Sequence, residues 1–310
     1  MENNLELHKL SHSKLNTYNS CPWKYKLRYV DKLYIPRPSI HAIFGTATHR
    51  LLQEWLTVIY KKSEKEGLKI NFREKLMEYV KEELTKESEK AGVNLKDFFS
   101  KEEVLHFYEK SVDLVYYIRK KRSSYFTLKG WELVGIEVPL ECEYEYNGNK
   151  ILFGGFIDVI LRSKITGKYE IIDIKTSKSG WNDEKKKDPN KKSQVHFYKY
   201  FYAKQFNVDP ELIEVYFLIL KREPYAFQDM APKYVSRYAP SAGSVSINKS
   251  LKQINSYINN IFSDNTSYVK INTDCRFCEY NTEEHCKESE RISLIDLQKE
   301  LFLSSNKKGK

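Results

Sequence analysis

A chain of 310 residues, 41% hydrophobic and 30% charged, has the length and composition of a folded globular protein with one large domain or two small ones. Its longest apolar run, Val215–Leu220, is far short of the ~20 residues a membrane span needs. The opening MENNLELHKL carries charges and no apolar signal core, so a cytoplasmic protein is expected. A net charge of +10 favours a polyanionic partner, because each phosphate met by Lys or Arg releases condensed counterions.

Residues 10–30 are predicted as one amphipathic helix, with Leu10, Leu15, Tyr18, Cys21 and Tyr25 at spacings of three to five and Ser11 or Ser13 as its cap. A Pro-containing loop, Ile35–Pro38, leads to a second helix over Ile43–Tyr60, whose apolar face carries Leu51, Leu52, Trp55 and Leu56. Residues 61–125 are charged and helical in period, with Phe72, Leu76, Tyr79, Val80 and Leu84 on one stripe and a further helix over Glu102–Lys121. They read as a helical subdomain. At Trp131 the period changes to two: Ile136, Val138, Leu140 and Cys142 alternate with Glu137, Pro139, Glu141 and Glu143, which predicts a strand. Strands over Ile151–Leu161 and Tyr169–Lys175 follow. A lysine-rich loop, Asn182–Lys192, precedes a helix over Ser193–Phe206 and a buried strand over Ile213–Leu220. This order predicts an α/β fold around a mixed sheet. The expected boundaries are 1–42 for the first helix, 43–130 for the helical subdomain, 131–235 for the α/β core, 236–290 for a C-terminal helix and cysteine segment, and 291–310 for a polar tail.

The segment GGFIDVILRSKITGKYEIIDIKTSK carries the chemistry. If its two strands form a hairpin about the Lys164–Gly167 turn, Asp158 lies opposite Asp173, with Cβ atoms about 4.5–5.5 Å apart. Side chains alternate along a strand, so Lys175 shares the face of Asp173 while Ile172 and Ile174 point the other way. Two carboxylates side by side in apolar strands repel and raise each other's pKa, a cost that a divalent cation removes. Such a cation can activate water and stabilise charge on a phosphoryl transition state. Glu137 sits on the polar face of the preceding strand beside Glu141, Glu143 and Glu145, so a solvated face is expected ahead of an accessory ligand role.

The pattern G-x-x-D, then D-I-K, then Q-x-x-x-Y in the next helix resembles the RecB-type nuclease domain of the PD-(D/E)XK superfamily. FGTATH is similar to that family's first motif, and SHSKLNTYNSCPWKYKLRY to the opening helix of its four-cysteine members, which include AddB-type nucleases and the CRISPR-associated exonucleases. The proline that gives the superfamily its name is missing before Asp158, and Asp173 stands where some relatives have glutamate. The resemblance implies a restriction-endonuclease-like mixed sheet flanked by helices. It also implies Mg2+ or Mn2+ held by Asp158, Asp173, His49 and the Ile174 carbonyl, with Lys175 orienting water or stabilising charge. Gln194 and Tyr198, one turn apart, would face the site or the DNA backbone. His41, His106 and His196 lack such a context and are expected to be structural.

Five cysteines without an export signal argue against a disulfide framework. Cys275, Cys278 and Cys286 form C-x2-C-x7-C, Cys21 lies far upstream, and Cys142 alternates with core residues as a free thiol. Four thiolates suit a tetrahedral zinc or an iron–sulfur cluster equally. The family resemblance implies a [4Fe–4S] cluster on Cys21, Cys275, Cys278 and Cys286, joining the N- and C-terminal segments. The expected function is therefore a DNA exonuclease acting on single-stranded DNA or single-stranded ends. The sequence contains no G-x-x-x-x-G-K-[ST], so no P-loop ATPase is expected in it, and a helicase, or a recombination or CRISPR-adaptation protein, is a candidate partner. A catalytically degenerate DNA-binding or assembly subunit is the alternative. The lysines of 185–192 suit a phosphate contact and a solvated loop equally.

Overall fold

In the computed structural model, which describes residues 7–225, 232–273, 275–293 and 296, the first thirty residues are not one helix. His8–Leu10 form a short strand, β1, and the Ser11 hydroxyl then accepts the Lys14 amide to start α1, His12–Ser20. Cys21 is extended (φ −161°, ψ 107°), and Pro22 opens a separate short helix, α2, Pro22–Tyr25, followed by a π-helical turn over Lys26–Val30. Proline has no amide proton to continue the ladder but suits a first turn, so the helical spacing is interrupted here. Cys21 consequently sits at a helix junction. The polar tail expected at 291–310 falls almost wholly outside the described residues.

The chain divides into two units. One comprises Met1–Arg37, Glu143–Phe153 and Leu251–Lys310; the other comprises Pro38–Cys142 and Gly154–Ser250. The second begins with α3, Ile40–Lys61, capped by Ser39, and continues through α4, Glu64–Leu68, α5, Phe72–Ala91, and α6, Lys101–Lys120. Asn71 caps α5 and Ser100 caps α6, while Gly92 in the left-handed region (φ 64°) ends α5.

Four strands follow, interrupted by helices: β2, Trp131–Tyr146; β3, Asn149–Ser163; β4, Tyr169–Ser177; and, after α7, Asp183–Lys187, and α8, Pro189–Phe206, strand β5, Ile213–Lys221. The segment expected as a plain lysine loop thus holds α7, and α8 starts at Pro189 rather than Ser193 because Asp188 caps it and proline fits its first turn. Then come β6, Val235–Tyr238, α9, Ser244–Ile261, and two short strands, β7, Ile271–Asn272, and β8, Ile292–Ser293.

The main sheet has the order β1-β3-β4-β5-β6, with β2 also paired to β3. β4 and β5 are parallel, joined by the α8 crossover, whereas β3–β4 and β5–β6 are antiparallel. It is a mixed sheet flanked by helices, the restriction-endonuclease-like arrangement. Val159, Leu161, Ile172, Ile174, Leu218 and Leu220 on one face pack with Leu51, Leu52, Trp55, Leu56, Phe72, Leu76 and Ile118 from the helices. Each such side chain removed from water contributes about 1.5–3 kcal/mol, so this face anchors the opposite one, where Asp173 lies. Among the described residues no helix is long and apolar enough to cross a membrane.

Candidate active site

The hairpin has the expected register. Val159 pairs with Ile172, Ile160 with Ile171, Leu161 with Glu170 and Arg162 with Tyr169. The paired ladder ends there; Asp158, the next residue of β3, is near enough to Asp173 to raise its pKa. There Asp158 Oδ2 accepts the backbone amide of Ile174 at 2.7 Å, so a carboxylate satisfies an amide of the neighbouring strand.

Asp173 is only 1% exposed. The Lys175 ammonium lies 2.8 Å from its Oδ2, but the directed hydrogen bond goes to Oδ1 at 3.1 Å, and the buried Oδ2 has no hydrogen-bond donor. Burial pushes the Asp173 carboxyl up to about 6; Lys175 opposes this, and Asp158 adds to it. Burial likewise takes Asp158 to about 6 against Lys175 and the Ile174 amide, with Glu137 pushing in the same direction as burial. Burial acts to lower the Lys175 pKa, yet Asp173 and Asp158 outweigh it and the net shift is upward. Lys175 is thus held as a cation and hydrogen-bond donor beside Asp173.

His49 comes from α3. A Cβ on Gly45 would stand 3.0 Å from Thr176 Oγ1, so the small residue in FGTATH lets the helix lie close to β4. His49 Nδ1 is 3.7 Å from Asp158 Oδ2. Burial, helped by Lys175, lowers its pKa to about 4, so the imidazole is neutral and keeps a lone pair. Gln194 Nε2 donates to the Tyr198 hydroxyl at 2.9 Å, one turn along α8. Burial and then Asp173 and Asp158 raise the Tyr198 pKa well above its ordinary value, so that hydroxyl keeps its own proton to donate elsewhere.

Two further residues join the group. Gln53, one turn beyond His49 and buried, donates to Glu137 Oε1 at 2.5 Å and lies 3.5 Å from the Asp158 carbonyl. Glu137 has a left-handed backbone (φ 48°) inside β2, a conformation costly for a residue with a Cβ. Glu137 is exposed, as expected for a solvated strand face, and from there it accepts from Gln53 and acts to raise the pKa of Asp158 and His49. The spacing His49-x3-Gln53 was the available sequence signal for Gln53, since residues four apart share a helix face.

The donor set suits a divalent cation: two carboxylates, one of them with an oxygen that accepts no directed hydrogen bond, and a neutral imidazole. Among the described residues, however, no three His, Cys, Asp or Glu side chains are already drawn into a metal cage. The same holds for the cysteines. Cys21, Cys275, Cys278 and Cys286 are free thiols of one unit, and Cys21 is close enough to act on Cys278, whose pKa is raised first by burial. Trp23 Nε1 donates to the His285 carbonyl at 2.8 Å and Lys24 pairs with Glu279 at 2.6 Å, so the chain just after Cys21 is tied to the three-cysteine segment. Cys142 is buried in β2, in the other unit. Buried His196 is satisfied by the Ser241 carbonyl at 3.0 Å and the Ser250 hydroxyl at 2.7 Å, a structural role.

The mixed sheet thus presents a buried aspartate, a half-buried one beside it, and a lysine two residues beyond the buried one. The model of the PD-(D/E)XK nuclease superfamily matches residues 9–282, and the chain belongs to that superfamily. A search of curated proteins finds no match. Among solved structures, one titled the crystal structure of SSO0001 aligns over 93% of this chain and 89% of that chain, at 13% identity and a TM-score of 0.36. That likeness is too slight to argue from.

Proposed function

We propose that this chain is a divalent-metal-dependent deoxyribonuclease of the RecB-like, four-cysteine kind, acting as an exonuclease on single-stranded DNA or single-stranded ends. The observation that carries the reading is the geometry of three side chains: Asp173 is buried with the Lys175 ammonium 2.8 Å away, and Asp158 accepts the amide of Ile174 beside it. Asp158, Asp173, His49 and the Ile174 carbonyl would hold one or two Mg2+ or Mn2+ ions, which supply water activation and charge neutralisation when bound.

The protein's own groups do the rest. Lys175 places a permanent positive charge beside Asp173, where negative charge grows on the phosphate oxygens. Tyr198, its oxygen already accepting from Gln194, offers its proton to the substrate backbone. Gln53 holds Glu137 toward Asp158, as an accessory carboxylate. Glu137→Gln should lower turnover about ten-fold with melting temperature unchanged, as loss of a supporting carboxylate does at metal sites. Unchanged kinetics in that variant would return Glu137 to a surface role.

Digestion of end-labelled and circular DNAs, single- and double-stranded, tests the reading. Linear single strands should shorten from an end in Mn2+ and survive in EDTA, with circles resistant. Equal loss of circles would make the enzyme an endonuclease, and no digestion in any metal would remove the reading.

The four cysteines are assigned in this proposal to a [4Fe–4S] cluster, with zinc the competing occupant. A four-ligand site loses most of its stability when one ligand goes. Cys21→Ala or Cys278→Ala should therefore yield colourless, protease-sensitive protein. Cys142→Ala should keep the colour and cost on the order of 1 kcal/mol, the price of a small cavity. Iron per chain in anaerobically purified variants decides it: iron retained in the Cys21 variant contradicts the assignment, and zinc in the parent replaces the cluster with a zinc staple. A helicase, or a recombination or CRISPR-adaptation protein, is the partner this reading proposes.

A further inference from the structure

Phe156 is 59% exposed in the middle of β3, in the segment Gly154-Gly155-Phe156-Ile157-Asp158. Its neighbours Ile157, Val159 and Leu161 are fully buried on the opposite face. Alternation along the strand puts Phe156 on the face of Asp158, about 6.6 Å from it at two residues' rise. A Cβ on Gly155 would meet nothing within 4 Å, and one on Gly154 only the Leu140 carbonyl, at 3.7 Å. Two side-chain-free residues thus lead up to an exposed aromatic ring two residues from Asp158. A solvent-facing phenylalanine gains nothing for the fold, whereas an unpaired base has a π-face to offer it.

We propose that Phe156 is a stacking platform for an unpaired nucleobase next to the scissile phosphate, and that it selects single-stranded over duplex DNA. The proposal rests on the nuclease reading of the neighbouring carboxylates. In a duplex each base is stacked and paired, so the ring has no free partner until the strand end unwinds. A single strand supplies one at once, whatever its sequence, because every base can stack. The surplus of positive charge on the chain holds the backbone without reading the bases.

The test uses the full protein in EDTA, so that binding is read without hydrolysis. Short fluorescein-labelled thymidine oligonucleotides, intact or carrying one abasic site at successive positions, are titrated by anisotropy into the parent, Phe156→Ala and Phe156→Tyr. Phe156→Ala should weaken the intact single strand about ten-fold, with Phe156→Tyr restoring it and blunt duplex binding unchanged. At one position the abasic site should weaken the parent equally and add no further loss in Phe156→Ala, the signature of a ring and base that act together. Additive losses at every position, an unaffected Phe156→Ala, equal losses on duplex, or no binding by the parent overturn the proposal. A self-association change in Phe156→Ala without an oligonucleotide effect also overturns it and makes the ring a contact between copies. Cleavage in Mn2+ without ring–base coupling would leave the nuclease reading standing and this one fallen. Coupling without cleavage in any metal would do the reverse.

Discussion

Asp173→Asn should lower DNA turnover on the order of a thousand-fold or more while the protein stays folded. The loss follows from the several kcal/mol that a bound cation contributes to the transition state, which a neutral amide in place of a ligand carboxylate forfeits. Stability should change by no more than about 1 kcal/mol. The reason lies in the charges. Asp158 and Asp173 share Lys175, so removing one carboxylate leaves a balanced pair rather than an unpaired ion. An amide of the same shape also fills the space, with its oxygen able to accept from Lys175. Digestion rates and melting curves measured side by side on one preparation check both halves. Full activity in the folded variant would remove Asp173 from the chemistry.

Lys175→Met should have the second-largest effect, and a different profile. Methionine keeps the length and loses the charge, so turnover should fall on the order of a hundred-fold or more while DNA affinity stays within a few-fold. Here stability does suffer. The two buried carboxylates lose the cation that holds their pKa down, and stranding a buried charge costs about 3–5 kcal/mol. Added Mg2+ should recover much of that melting temperature, because the cation takes over the neutralising role. If affinity collapses while bound substrate is still turned over, Lys175 is a binding residue and its assigned role is wrong.

The hairpin was legible in the sequence because a short turn and a two-residue period leave one register that buries the isoleucines, and that register is the one observed. FGTATH, Gln194 and Tyr198 were legible only through the family resemblance; that Gln194 donates to Tyr198 is added by the structure. Periodicity misled at Cys21, where apolar spacing continues through a proline that breaks the helix. Glu137 is exposed as its polar strand face predicts, although its left-handed backbone departs from a regular strand. For Gln53 the one signal is its four-residue spacing from His49, which places it on the same helix face but does not name its partner. β6 is four residues long, and its pairing with β5 is set by tertiary contact rather than by any local pattern.

The central claim is that Asp158 and Asp173 form a cation site, and electron paramagnetic resonance of Mn2+ tests it most directly, because bound Mn2+ loses the sharp signal of the free ion. Titrated into the parent protein, Mn2+ should be taken up at one or two ions per chain, and Asp173→Asn and Asp158→Ala should each abolish that uptake while leaving the melting curve cooperative. Uptake that is undiminished in both folded variants, or absent in a parent that still degrades DNA in EDTA, would contradict it.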